Sequence, residues 1–209
     1  MFIERMKESF KKEEPIFTQE ILSLFKEYTR TYVFRLISKA EAKGEIVSFD
    51  SGIYYLPDHS SAFSSCISFN DIISKKYINY NNNYYGVYSG LSVLNKFSVS
   101  TQVPHVIEIV TNNESSRKRK VNIAGRTVIL RKSRCTINEF NVHAYQILEL
   151  LTNMVAEEDF SKFVINDIKE YISYYNIKLD VLLNLLQYFP KRTTNNLLRL
   201  GINNVFTQY

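Results

Sequence analysis

Two groups of side chains have the chemistry to meet a polyanion. The first is Arg30, Thr31, Tyr32, Arg35, Ser38 and Lys39, with Thr29 just ahead of them. Arginine can hold a guanine edge bidentately, threonine can meet a thymine methyl or a phosphate, and tyrosine can donate to phosphate. On an isolated helix the same residues are a solvated face; they acquire meaning inside a helix-turn-helix. The second group is the run Arg117-Lys118-Arg119-Lys120, with Arg126, Arg131, Lys132 and Arg134 on or near the hairpin that follows. Strand alternation places Arg117 and Arg119 on one side and Lys118 and Lys120 on the other, so the four do not make one flat patch. The hairpin still concentrates positive potential for a nucleic acid, a nucleotide or an acidic face of a partner. The competing reading is an edge hairpin kept from aggregating by its lysines and arginines, and both stay open.

Catalytic chemistry finds little to work with. His59, His105 and His143 are scattered, no His-x-x-x-His or Cys-x-x-Cys occurs, and six glycines include no phosphate-cradling loop. A Ser/His/Asp triad assembles only in space, and nothing in the sequence points to one. The expectation is a chain with no enzymatic activity, no metal and no cofactor. Tyr77, Tyr80, Tyr84, Tyr85 and Tyr88, around Asn81-Asn82-Asn83, suggest base stacking, but fifteen tyrosines with no tryptophan favour half-buried rings that fill a core. Ser100-Thr101-Gln102-Val103-Pro104 reads as a turn entering a strand rather than as a recognition loop.

The elements that must position these groups can be read from spacing. A short amphipathic helix spans Phe2 to Lys12, and Pro15 ends it. A brief strand at Ile16-Phe17 follows, then a helix capped by Thr18 with Ile21, Leu22 and Phe25 as its apolar positions. Thr29 caps a third helix whose stripe is Val33, Leu36, Ile37 and Ala40, and Gly44 closes it. Strand-prone residues from Glu45 to Pro57 then turn about Asp50-Ser51-Gly52. This order gives a winged helix-turn-helix over residues 1–57. Serine-rich residues 58–68 make the linker. Residues 69–209 form a second domain, mixed to about 140: helices near Asn70 to Tyr77 and Ser89 to Lys96, a strand at Val106 to Val110, and a hairpin pairing Lys120 to Ile123 with Thr127 to Leu130. From 141 the tail is helical: Ala144 to Met154, Asp159 to Tyr175, Asp180 to Phe189 and Thr193 to Leu200. The fold class expected is α+β.

Charge is uneven. The formal net charge is +5, yet residues 61–140 hold eleven Lys/Arg against four Asp/Glu, while both ends are nearly neutral. A basic surface therefore belongs to the middle of the chain. Cys66 and Cys135 lie far apart, with no disulfide or zinc spacing. The charged N-terminus has no signal-peptide apolar stretch and no run is long enough for a bilayer, so the expectation is a cytoplasmic protein with reduced thiols and no membrane partner.

Val33, Ile37, Ala40 and Gly44, followed by Ile46, Gly52, Tyr54 and Pro57, resemble the N-terminal domain of AbiEi-type antitoxins of bacterial type IV toxin-antitoxin systems. Gly90, Leu91, Leu94 and Asn95, with Ser100 to Pro104, are similar to that family's segment in which a small-residue helix precedes a Thr-Gln-x-Pro turn. The two matches span roughly residues 15–132. The resemblance implies a DNA-binding antitoxin of the abortive-infection, phage-defence type. Its winged helix would repress its own operon at inverted repeats, with two copies on the double-stranded DNA. Its C-terminal domain would counteract a nucleotidyltransferase-like toxin, a functional partner that need not bind stably. One departure is that Val47, Ser48 and Ser51 stand where relatives commonly carry arginine or lysine in the wing. A protein-interaction module using the same helices as a scaffold is the alternative, and a catalytic second domain has only the basic hairpin in its favour.

Overall fold

Alternating short helices and a hairpin build the first part of the chain. In the computed structural model, which describes residues 2–60 and 66–201, Phe2–Ser9 forms α1, Ile16–Phe17 β1, Thr18–Leu24 α2 and Arg30–Ala42 α3. Val47–Asp50 (β2) and Ile53–Tyr55 (β3) then pair antiparallel, and β1 adds to the other edge of β3 in the order β1-β3-β2. The chain is an α+β protein with its first helices at the N-terminus. Met6, Ile16, Ile21, Phe25, Val33, Ile37, Ala40, Ile46, Tyr54 and Leu56 bury together as the core of this region. Leu36, expected in the stripe, is only half-buried.

The helix ends carry two corrections and one detailed agreement. Helix α1 stops at Ser9, short of Lys12. Thr18 is the first residue of α2 and not its cap, because the Glu20 carboxylate accepts the Phe17 backbone N–H at 2.7 Å and so takes over the capping at that end. Freed from that role, the Thr18 hydroxyl donates to the Gly52 carbonyl at 3.2 Å and its backbone N–H does so at 3.0 Å, pinning the β2–β3 turn to the start of α2. Gly52 has φ +74° and a Cβ there would stand 3.0 Å from the Thr18 hydroxyl, so both the turn and the pin require glycine. At the end of α3, Gly44 donates to Glu41 O at 2.9 Å and Glu45 to Ala40 O at 2.9 Å, the paired bonds of a glycine-terminated helix.

Phe69–Ile73 (α4) continues into a π-helical turn at Ser74–Ile78. The chain divides into two compact units, 1–75 and 76–209, so the first runs past residues 58–68, the expected linker, of which 61–65 lie outside the described residues. Lys75 is built into the first unit. Its ammonium donates to the Pro15 carbonyl at 2.7 Å and pairs with Glu14 at 2.9 Å and Glu20 at 3.0 Å, with its side chain only 6% exposed. Burial alone would lower its pKa, but the two carboxylates reverse this and hold it above the ordinary lysine value.

The second unit opens with a small hairpin, Asn79–Tyr80 (β4) and Asn83–Tyr84 (β5). Its turn residues Asn81 and Asn82 take φ of 49° and 63°, the mirror-image turn that asparagine tolerates. Gly86–Ser89 (β6), Ile107–Thr111 (β7), Arg119–Ile123 (β8) and Arg126–Lys132 (β9) form a sheet ordered β6-β7-β9-β8, with β7 and β9 parallel and the other pairs antiparallel. The turn between β8 and β9 is Ala124-Gly125 alone, one residue tighter than the spacing suggests, because Ile123 pairs directly with Arg126.

Helices Gly90–Lys96 (α5), Val142–Asn153 (α6), Lys162–Tyr174 (α7), Leu179–Leu186 (α8) and Lys191–Arg199 (α9) complete the unit. Helix α6 is its axis: every residue from Ala144 to Thr152 is buried, and α5, β6, α7, α8 and α9 all pack against it. The polar residues it buries have partners. Gln146 donates to Tyr88 O at 3.0 Å, Glu149 accepts from the Ser89 hydroxyl at 2.6 Å, and the Thr152 and Thr193 hydroxyls meet at 2.8 Å.

Replacing Lys75 by methionine keeps the volume and leaves Glu14 and Glu20 without their shared cation. The expected loss is about 2–3 kcal/mol, set below the range for fully buried pairs because the carboxylates are partly solvated. Urea unfolding of the full chain measures it, and an unchanged midpoint counts against the structural role of Lys75.

Candidate nucleic-acid interface

An α-helix buried along one stripe must present the opposite column to solvent, and α3 does so cleanly. Val33, Ile37 and Ala40 are 0%, 1% and 4% exposed. Thr31, Arg35 and Ser38, at helical spacing on the far side, are exposed, with Tyr32 and Lys39 flanking them. Arg35 therefore sits at the centre of the outward face. Arg30, at the first turn, is exposed on its flank.

Neighbouring rings hold these side chains loosely in place. The Arg35 guanidinium lies 5.5 Å from the Tyr32 ring centroid and that of Arg30 lies 5.6 Å from Phe34. Tyr32 in turn meets Tyr28 edge-on at 5.2 Å, and Tyr28 stacks on Phe25 at 6.3 Å. Sequence reading did not find this aromatic row, although the i, i+4 spacing of Tyr28 and Tyr32 across the helix start carries the signal. The Thr29 hydroxyl accepts the Tyr32 backbone N–H at 3.4 Å, so Thr29 acts as the cap of α3 while remaining exposed.

The basic residues of the second unit do not gather into one surface. Strand β8 starts at Arg119, so Arg117 and Lys118 lie in the preceding loop and the alternation expected over 117–120 does not apply to them. Register puts Arg119, Arg126 and Lys132 on one face of the β8–β9 hairpin and Lys120 and Arg131 on the other. Several of them are engaged locally. Arg119 pairs with Glu114 at 2.6 Å, Arg131 with Glu108 at 2.6 Å, and the Arg134 guanidinium lies 5.3 Å from the Phe189 ring centroid. Arg117, Lys118, Lys120, Arg126 and Lys132 are exposed, and β8 is an edge strand of its sheet. Burial pulls the Glu114 carboxyl upward, but the Ser116 and Ser115 backbone N–H groups and Arg119 outweigh it and hold its pKa below the ordinary value.

Among the described residues no cluster of three His, Cys, Asp or Glu side chains can hold a metal ion, and no helix is long and apolar enough to cross a membrane. Cys66 and Cys135 are free thiols. Such features define a mixed α+β protein in which a helix of the first unit offers a polar, arginine-centred face. The chain belongs to DUF6088, a family of unknown function, which it matches over residues 3–175. No curated protein matches it.

Glu114 gives a pH dependence of known sign. Its folded pKa lies below the ordinary glutamate value, so its contribution to stability is full above that ordinary value and fades as the pH falls through the folded one. Thermal unfolding from pH 6 down to acid should show a shallower decline for Glu114→Gln than for the natural chain. Equal slopes would remove Glu114 from the acid sensitivity of the fold.

Proposed function

We propose that the first unit is a winged helix-turn-helix domain and that the chain is a DNA-binding antitoxin similar to the AbiEi type. In this reading α2 and α3 are the helix pair, α3 enters the major groove, and β2–β3 is the wing. The protein represses its own operon at inverted repeats, two copies per site, and its second unit counteracts a nucleotidyltransferase-like toxin in the cytoplasm without catalysis of its own. The observation that carries the reading is the exposed Thr31–Arg35–Ser38 column, backed by the fully buried Val33–Ile37 stripe and preceded by a helix of seven residues. The pin between Thr18 and Gly52 supports it further, because it fixes the hairpin to the helix pair as a wing requires.

One observation favours a second reading. The hairpin presents Val47, Ser48, Phe49, Asp50 and Ser51, with no lysine or arginine to meet a phosphate. That surface suits a protein partner, and the unit would then be an interaction scaffold. Co-purification of a stoichiometric partner by a chain with no affinity for DNA is the result that selects it.

A gel-shift titration against the DNA upstream of the chain's own gene, at stated salt, is the direct test. The expected result is preference over scrambled DNA, with affinity falling as salt rises. Arg35→Ala should weaken specific binding by roughly tenfold or more, and Arg30→Ala by less, since Arg35 faces outward and Arg30 lies on the flank. Equal binding to operator and scrambled sequence would reject the repressor.

A further inference from the structure

The second unit contains an aromatic cavity that DNA reading by α3 leaves unused. It measures about 330 Å³, and its walls come from the end of α5 and one side of α7. Phe97, Tyr171, Tyr174 and Tyr175 supply rings, Lys96 an ammonium, and Asp167 and Glu170 carboxylates. Asp167, Glu170, Tyr171 and Tyr174 fall at i, i+3, i+4 and i+7, a single face of the helix and its end.

The wall is set before any ligand arrives. Phe97 is 3% exposed and meets Tyr171 edge-on at 4.9 Å. The Tyr171 hydroxyl hydrogen-bonds to His143 Nδ1 at 2.9 Å, and His143 stacks on Tyr175 with centroids 3.6 Å apart and planes 16° from parallel. Burial, and then the nearby Lys96 charge, push the His143 pKa below the ordinary imidazole value, so the ring is neutral at pH 7 and adds no charge to the wall. Tyr174 is the exception to this packing: its ring leans edge-on against Tyr175 at 4.8 Å yet is 81% exposed. A large ring held at the mouth of an aromatic slot is a stacking surface awaiting a partner.

The charges choose the partner. Lys96 Nζ already stands 5.5 Å from the Tyr171 centroid, so a second cation on that ring would be repelled. Asp167 and Glu170 repel phosphate from the slot. What suits both is a neutral planar heterocycle, with N–H groups for the carboxylates to accept and a carbonyl or ring nitrogen for the ammonium to donate to. We propose that this cavity binds a nucleobase, stacked on the exposed Tyr174 ring with its edge toward Tyr175, its sugar and any phosphate turned outward to solvent. The base comes from a free nucleoside or nucleotide, or from an unpaired position in a strand.

Titration calorimetry of the full chain with adenosine, guanosine, cytidine and uridine, and with ribose 5-phosphate as the base-free control, tests this. The expected result is binding of at least one nucleoside at millimolar concentration or below and none of ribose 5-phosphate. Tyr174→Ala, whose exposed ring makes misfolding a minor risk, should weaken that binding by about fivefold or more while leaving the circular dichroism spectrum unchanged. Asp167→Asn should alter which bases are preferred. A single-stranded oligonucleotide that binds more tightly than the nucleoside, and loses affinity in the same two variants, assigns the base to a polymer; weaker or equal binding assigns it to a free nucleoside. Silence from all four nucleosides and the oligonucleotide, or binding indifferent to both substitutions, overturns the site. Operator binding, measured on the same Tyr174→Ala protein, is expected to be unaffected, so the two proposals fail separately.

Discussion

A helix in water must cover its apolar surface, and how much of its circumference is apolar decides what remains for function. This constraint separates the two units. Helix α3 covers a narrow stripe, Val33, Ile37 and Ala40, and so shows a whole polar column. Helix α6 is apolar nearly all round and is covered on every side, so it can only be an axis about which others pack. The helices that pack around α6 expose what it cannot: α7 buries Val164, Ile168 and Ile172 against the core and leaves Asp167, Glu170, Tyr171 and Tyr174 for the cavity. In both units the faces proposed for function are those that hydrophobic burial has left over.

Periodicity made much of this legible in advance. The stripe of α3, its Thr29 cap and its Gly44 end can each be read from residue types, because capping and helix termination are local decisions. The four helices of the tail are likewise visible as apolar spacing, with Pro190 marking the end of the third, although the second begins at Lys162 rather than Asp159 because Glu158–Phe160 winds as a 3-10 turn. Boundaries drifted where a competing partner lay far along the chain. Thr18 looks like a cap in sequence, and only the pairing of β1 with β3 reveals that Gly52 takes its hydroxyl. The strands β4, β5 and β6 were hidden among tyrosines and asparagines whose alternation is weak, and β6 finds its partner only in the distant strand β7.

Charge density proved a poorer guide than charge geometry. The richest basic segment, residues 117–134, is divided between a loop, two faces of a hairpin, ion pairs with Glu114 and Glu108, and an aromatic ring. The more modest set on α3 shares one outward face. Sequence composition makes the first set the denser, whereas folding gives only the second a shared outward face. The cavity was invisible for a related reason: Lys96, His143 and Tyr171 are far apart in the chain, and only the packing of α5 and α7 on α6 brings them within reach of one another.

The burial of Lys75 bears on where this protein can be cut. Its side chain closes a cage formed by Glu14, Glu20 and the Pro15 carbonyl, sixty residues earlier, so the N-terminal piece is not electrically finished at the end of its hairpin. A fragment terminated at Pro57, where the strands end, would leave two carboxylates crowding each other with their counter-ion amputated. Anyone wishing to isolate that piece should carry the polypeptide through the π-helical turn at Ser74–Ile78.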